Sequence, residues 1–153
     1  MVRLDDVAQA AMRLTAPLLG QAGHVEVALE AVAPVRAHRS RLVQVAVNLL
    51  RNAADALTEV DRPHDSRRIA LSTRTDGANA ILCVEDNGCG IAPELQARVI
   101  EPYFTTKTED RGSGLGLAIS NEIVTACGGV LRIDSAPNRG TRVEVRLPIA
   151  TDV

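Results

Sequence analysis

Aromatic side chains are almost missing from this 153-residue chain: Tyr103 and Phe104 stand side by side and there is no tryptophan. Any core must therefore be built from aliphatic residues and alanine, and the aromatic pair, set in a polar stretch, points to a local task. Cysteine is scarce as well. Cys83, Cys89 and Cys127 are odd in number and lack CxxC spacing, which argues against a disulfide framework and a zinc site and makes a reducing cytoplasm the expected compartment. No apolar run approaches the ~20 residues a bilayer crossing needs, and no signal peptide is visible, so no direct membrane contact is expected. A membrane-bound parent can still carry such a domain on its cytoplasmic side. Charge of one sign is lacking too: the net value of −2 leaves no broad cationic footprint for nucleic acid. Arg36, Arg39 and Arg41, and the pair Arg67–Arg68, read as local, solvated surface.

What is present is the composition of an ordinary folded domain, 46% hydrophobic and 24% charged, long enough to bury one core. Apolar residues at Leu4, Val7, Ala8, Ala11, Leu14 and Leu18 form a helical stripe, ended by Gly20 and Gly23. HVEVALE alternates as a strand does. Ser40 is placed to cap a long helix running to about Leu57. RRIALSTRT and NAILCVED read as strands joined by the hairpin signal Asp76–Gly77. Pro93 can open a short helix, PELQARV. TTKTEDRGSG has no apolar residue to order it by burial, which predicts a mobile loop unless a ligand holds it. A helix then runs from Leu115 to Cys127 and stops at Gly128–Gly129. VLRID and TRVEVRLP follow as strands, the latter with Val143, Val145 and Leu147 inward and Arg142, Glu144 and Arg146 outward. The expected architecture is a two-layer α/β (α+β) sandwich: a mixed, largely antiparallel sheet covered on one face by about three helices, with a mobile lid loop.

Five stretches carry residues that chemistry can use, most of them beside a plainer reading. Asn48 and Asn52 are four apart and Asp55 three further on, so one helix face, with Gln44 behind it, carries two amides and a carboxylate. Such a face lines a polar cleft or is a solvated stripe. DNGCG, Asp86 to Gly90, ends a strand: Asp86 can accept from an exocyclic amine while Gly88 and Gly90 admit a flat ring, or the stretch is a common turn. Lys107 in EPYFTTK can reach a phosphate, or is one more exposed lysine. GSGLG offers bare backbone donors at a helix start, yet it matches neither a P-loop nor a dinucleotide fingerprint. Asn138 to Thr141 is a tight turn, and Thr141 can bond a ligand or favour its strand.

In order, these parts resemble the ATP-binding catalytic domain of sensor histidine kinases, within the gyrase, chaperone, histidine kinase and mismatch-repair ATPase superfamily of Bergerat fold. NLLRNAADA resembles the N box, DNGCGI the first glycine box, EPYFTTK the F box, GSGLGLAIS the second glycine box and NRGTRVEVRLP the closing Gly-Thr segment. The resemblance covers residues 4 to 148. It implies that Asn52 ligates Mg²⁺, that Asn48 lies beside the phosphates of ATP, and that Asp55 borders the nucleotide. It further implies that Asp86 accepts from the adenine amine, with Gly88, Gly90 and Thr141 completing the pocket. Lys107 and the N–H groups of Gly112, Gly114, Leu115 and Gly116 would hold the phosphates beneath the lid, assisted by Arg111. Cys89, between two pocket glycines, would sit near adenine or be a plain small residue.

ATPase members of the superfamily resemble this pattern with glutamate at the Asn48 position. An amide cannot take a proton at neutral pH, whereas a neutral imidazole attacks through a lone pair it already has, so Asn48 fits transfer to histidine rather than hydrolysis. His24, His38 and His64 do not resemble the family's phosphoacceptor segment. The resemblance therefore implies one ATP-binding catalytic domain over residues 1–153, a histidine on a separate helical dimerisation domain of the same kinase, and a downstream response regulator. Two other readings stay open: a non-catalytic nucleotide-binding module and a serine kinase of anti-sigma type.

Overall fold

The computed structural model describes residues 1–96, 98 and 116–151. The chain runs through α1 (Leu4–Ala22), β1 (His24–Leu29), α2 (Arg39–Thr58), a short 3-10 turn (His64–Ser66), β2 (Arg68–Asp76), β3 (Asn79–Asp86), α3 (Pro93–Gln96), α4 (Gly116–Ala126), β4 (Val130–Ala136) and β5 (Gly140–Pro148). The five strands form one sheet in the order β1-β2-β3-β5-β4. Only β1 and β2 run parallel; the other three pairings are antiparallel. Val35 bridges Val2 on one side and Ile149 on the other, tying both ends of the fold to one point. The expected two-layer, mixed and largely antiparallel architecture is the one observed. No helix is long and apolar enough, among the described residues, to cross a membrane.

Register decides which side chains meet the helices. Ile69, Leu71 and Thr73 of β2 stand beside Asp86, Val84 and Leu82 of β3, which stand beside Thr141, Val143 and Val145 of β5. All but Thr141 are buried. Because strand side chains alternate, this single face receives α2, whose Leu42, Val45, Ala46, Leu49, Leu50, Ala53, Ala54 and Leu57 recur at helical spacing and are all buried. On the opposite face Glu144 accepts from Arg74 at 3.1 Å and Arg142 at 2.9 Å, and Arg146 donates to Asp76 at 2.7 Å. The outward charges of β5 are therefore paired among themselves and with Arg74 and Asp76 of β2, while Ile81 and Cys83 on that face are still buried.

Two local expectations are corrected. Leu14 is 69% exposed and Leu18 37%; the later turns of α1 bury Thr15, Leu19 and Ala22 instead. Thr15 can be buried because its hydroxyl donates to the Ala11 carbonyl at 2.7 Å within the helix, and Pro17 stands inside this part of α1. Ser40 is not the cap of α2. The helix begins two residues earlier than a Ser40 cap would set it, behind His38, whose side chain makes no capping bond and whose carbonyl takes the N–H groups of Arg41 and Leu42. Burial of Leu42 and Val45 fixes this start more strongly than one capping hydroxyl, which is worth about 1 kcal/mol. The hairpin at Asp76–Gly77 forms as expected, and the two strands pair from Asp76 and Asn79 to Ile69 and Asp86. The short helix PELQARV is observed over Pro93–Gln96. The expected lid, Thr105 to Ser113, lies outside the described residues.

Candidate functional site

Asp86 is the last residue of the most central strand, and it points to the helix-bearing face. Its residue is 8% exposed. The Gly88 N–H donates to Oδ1 at 2.8 Å, and the Thr141 backbone N–H also bonds the carboxyl. Burial pushes its pKa up to about 6, overcoming the pull of those two donors, and neighbouring Glu85 adds a smaller upward push. The site thus keeps a carboxylate at a position where burial disfavours charge. Such an arrangement is matched to a partner that brings hydrogen-bond donors of its own.

The surrounding backbone is tight. A Cβ on Gly88 would lie 2.7 Å from the Ala56 carbonyl oxygen and 2.8 Å from Asp86 Oδ1, so only glycine lets α2 approach this turn. Gly140 has φ +113°, and a Cβ there would collide with the Asp86 carbonyl. Gly90 stands in the same loop against the backbone of Ala136. The Cys89 N–H reaches the Ala56 carbonyl at 3.4 Å and the Asn138 N–H donates to the Cys89 carbonyl at 2.8 Å, so the loop is stitched to α2 and to the β4–β5 turn. Burial, with help from the Glu59 carboxylate that accepts from Sγ at 3.4 Å, drives the Cys89 thiol up to about 11. Cys89 is a neutral thiol here, not a nucleophile.

Thr141 is held from its side-chain end. Its Oγ1 lies 2.8 Å from Ser135 Oγ, which also donates to the Gly140 carbonyl at 2.9 Å and receives the Ile91 N–H at 2.8 Å. Gln96 closes this network by donating to the Ile91 and Ser135 carbonyls at 3.2 and 2.8 Å. Asn87 faces away from Asp86: its Oδ1 accepts the Arg68 N–H at 2.7 Å and its Nδ2 donates to the Ser66 carbonyl at 2.8 Å.

On α2, Asn48 donates to α4 and Ala56 touches the 86–90 loop, while Asn52 and Asp55 lie between these contacts and are half-buried. The amide-bearing face therefore spans from the start of α4 to the end of β3. The structure thus places Asn48 against Gly116, groups Asp86, Gly88, Gly90 and Thr141 around the end of β3, and leaves Asn52 and Asp55 on α2 between these two places. Lys107, Arg111, Gly112, Gly114 and Leu115 lie outside the described residues. A cavity of about 770 Å³ at the other end of α2, lined by Arg36, His38, Arg41, Glu122 and Ile123 among others, contains none of these residues. Sequence reasoning missed Ser120, Ser135, Gln96 and Glu59. Only Ser120, a small polar residue on the buried side of an apolar helix, left a readable signal.

Comparison with known proteins agrees with this fold. The model of the family described as histidine kinase-, DNA gyrase B- and HSP90-like ATPase matches residues 37–151. The signal transduction histidine-protein kinase AtoS of Escherichia coli is 40% identical over 118 residues, covering 77% of this chain and 18% of AtoS. The two-component sensor PprA of Pseudomonas aeruginosa is 45% identical over 122 residues, covering 76% of this chain and 13% of PprA. The chain thus spans under a fifth of the length of these two relatives. Among solved structures, the mycobacterial sensor histidine kinase MprB superposes with a TM-score of 0.78 at 29% identity, over 96% of this chain and 95% of that one. Full-length ShkA in complex with AMPPNP gives 0.77 at 26% identity, over 99% of this chain and 31% of ShkA.

Proposed function

The chain belongs to the family of histidine kinase-, DNA gyrase B- and HSP90-like ATPases, and on that premise we propose that it binds ATP with Mg²⁺ and delivers the γ-phosphoryl group to a histidine. The acceptor is carried by a helical dimerisation domain of the same kinase rather than by His24, His38 or His64, and a response regulator receives the phosphoryl group afterwards. In this reading residues 1–153 form the catalytic half of a two-component sensor kinase, working in the cytoplasm.

The observation that carries the proposal is the Asp86 carboxylate, buried at the end of β3 beside the backbone N–H groups of Gly88 and Thr141. A purine amine offers one donor more to an acceptor that already takes the Gly88 and Thr141 N–H groups, and glycine at 88 and 90 lets the loop beside it pack against α2 and Ala136. The likeness to ShkA, solved with AMPPNP, supports a nucleotide in this fold. Thr141, fixed through Ser135, completes the adenine end.

At the phosphate end, Asn52 is assigned as the Mg²⁺ ligand and Asn48 and Asp55 as its neighbours. Among the described residues no group of three or more His, Cys, Asp and Glu could hold a metal ion. One amide oxygen fits Mg²⁺ nonetheless, since that ion keeps several waters and takes phosphate oxygens as further ligands. When bound, Mg²⁺ supplies charge neutralisation on the phosphates. Lys107, Arg111 and the N–H groups of Gly112, Gly114, Leu115 and Gly116 are assigned to the phosphates. Asn48 accepts no proton, which suits an imidazole acceptor and disfavours water as nucleophile.

Calorimetric titration with Mg·ATP, paired with γ-labelled ATP and a histidine-bearing helical domain supplied in trans, tests this reading. Saturable binding and acid-labile label on the histidine are expected. Binding without transfer would leave a nucleotide-binding module, label on serine would indicate the other kinase class, and no binding would refute the proposal.

A further inference from the structure

The side-chain amide of Asn48 is held in one orientation by α4. Nδ2 donates to Ser120 Oγ at 3.4 Å and to the Gly116 carbonyl at 3.5 Å. A carbonyl oxygen can only accept, so the nitrogen and not the oxygen of the amide must face Gly116. The amide nitrogen is thereby directed to α4, and Oδ1 is the atom that α4 does not take up. Ser120 is itself 0% exposed, a polar residue on an α4 face otherwise buried through Ala118, Ile123 and Val124. A hydroxyl in such a place costs free energy unless a partner uses it, and Asn48 is that partner.

We propose that Ser120 is a positioning residue for the phosphate end of the site: it locks the Asn48 amide so that only its carbonyl oxygen is presented. The inference rests on the reading of that site as a nucleotide site. It changes what Asn48 does there. Phosphate oxygens are acceptors, so an amide locked in this way cannot hold a phosphate by donation; its oxygen would instead accept from a donor at the phosphate end of the site. Ser120 touches no reacting atom in this account and acts through Asn48 alone. It also links the first turns of α4 to the amide-bearing face of α2, so that the two helices set the site together.

Two measurements on the chain decide the matter. The first is the ¹⁵N side-chain amide resonance of Asn48, followed in the free protein and in Ser120→Ala, a nearly isosteric change that preserves packing. The resonance should move and its protons should exchange faster; an unmoved resonance would overturn the lock. The second is a double-mutant cycle on Mg·ATP affinity with Ser120→Ala and Asn48→Ala. Ser120→Ala should weaken binding roughly three- to tenfold, the effect of one hydrogen bond, and should have no further effect once Asn48 is alanine. Equal effects in both backgrounds, or a lowered melting temperature with unchanged affinity, would reduce Ser120 to a structural residue. Wild-type protein that binds no nucleotide would refute the functional reading, and the amide resonance would then decide the lock by itself.

Discussion

Asp86 and Thr141 face each other across β3 and β5, and the Thr141 backbone N–H bonds the Asp86 carboxyl. The same pair joins two motifs that lie far apart in the sequence, one at residue 86 and the other beyond residue 138. Sheet register, not loop conformation, sets their separation, so the adenine end of the proposed site is built before any ligand arrives.

Removing the carboxylate should therefore act on binding more than on folding. Asp86→Ala is expected to cost about 1–3 kcal/mol in nucleotide affinity, the price of leaving a buried donor unmatched. Calorimetry with ATP checks this, and an unchanged dissociation constant would remove Asp86 from the adenine contact.

Protonation of Asp86 should be visible in stability. Its folded pKa of about 6 lies above the ordinary 3.8, so folding stability is fullest below pH 4 and declines as pH rises through 6. The loss amounts to roughly 3 kcal/mol if the whole shift is realised. Urea denaturation from pH 4 to 7.5 should show a slope that Asp86→Asn flattens. Identical slopes would show that the carboxyl titrates normally. Nucleotide affinity should move the opposite way, strengthening as the carboxylate forms above pH 6.

Much of the fold was legible in the sequence. The alternation in TRVEVRLP identified the inward Val143, Val145 and Leu147, because period-two burial leaves little ambiguity. The Asn48–Asn52–Asp55 face was legible for the same kind of reason, since helical spacing places those residues whatever packs on them. The stripe on α1 was not fully legible. Thr15 reads as polar, yet its hydroxyl is satisfied inside the helix, which lets it be buried in place of Leu14. Ser135 and Gln96 were invisible because their role depends on α3 and the loop before it packing against β4, a long-range contact that no local pattern encodes.

Gly140→Ala should be among the most damaging single-methyl additions. At φ +113° an alanine is strained, and its Cβ would meet the Asp86 carbonyl. A loss of about 2–4 kcal/mol in unfolding free energy is expected, by the same reasoning that makes strained backbone and overpacking the large terms in mutational data. Gly20→Ala, inside α1 with nothing within 4 Å of the added methyl, is the control and should not lower stability, raising it by up to about 1 kcal/mol. Equal effects of the two would contradict the close approach.

The Cys89 thiol should react slowly at neutral pH, since its pKa lies near 11 and the thiol form is inert. Glu59→Gln removes a negative neighbour and is expected to accelerate alkylation severalfold, although burial, the larger cause, persists. Rates with iodoacetamide across pH 7 to 10 check this. A fast, pH-independent reaction would mean the thiol is free of both influences.

Substituting Asn52 should separate metal from nucleotide. With Asn52→Ala, ATP binding is expected to lose most of its dependence on Mg²⁺ while the adenine contacts persist. A magnesium titration identical to that of the unaltered protein would show that the ion is held elsewhere.

The central claim is that the end of β3, the β4–β5 turn and the amide face of α2 serve one nucleotide. The most direct measurement is a Mg·ATP titration of ¹⁵N-labelled protein, following the backbone amides of Gly88 and Thr141 together with the side-chain amide of Asn52. All three should shift in parallel and fit a single dissociation constant. Shifts confined to one of the three, or fitting different constants, would contradict a common site.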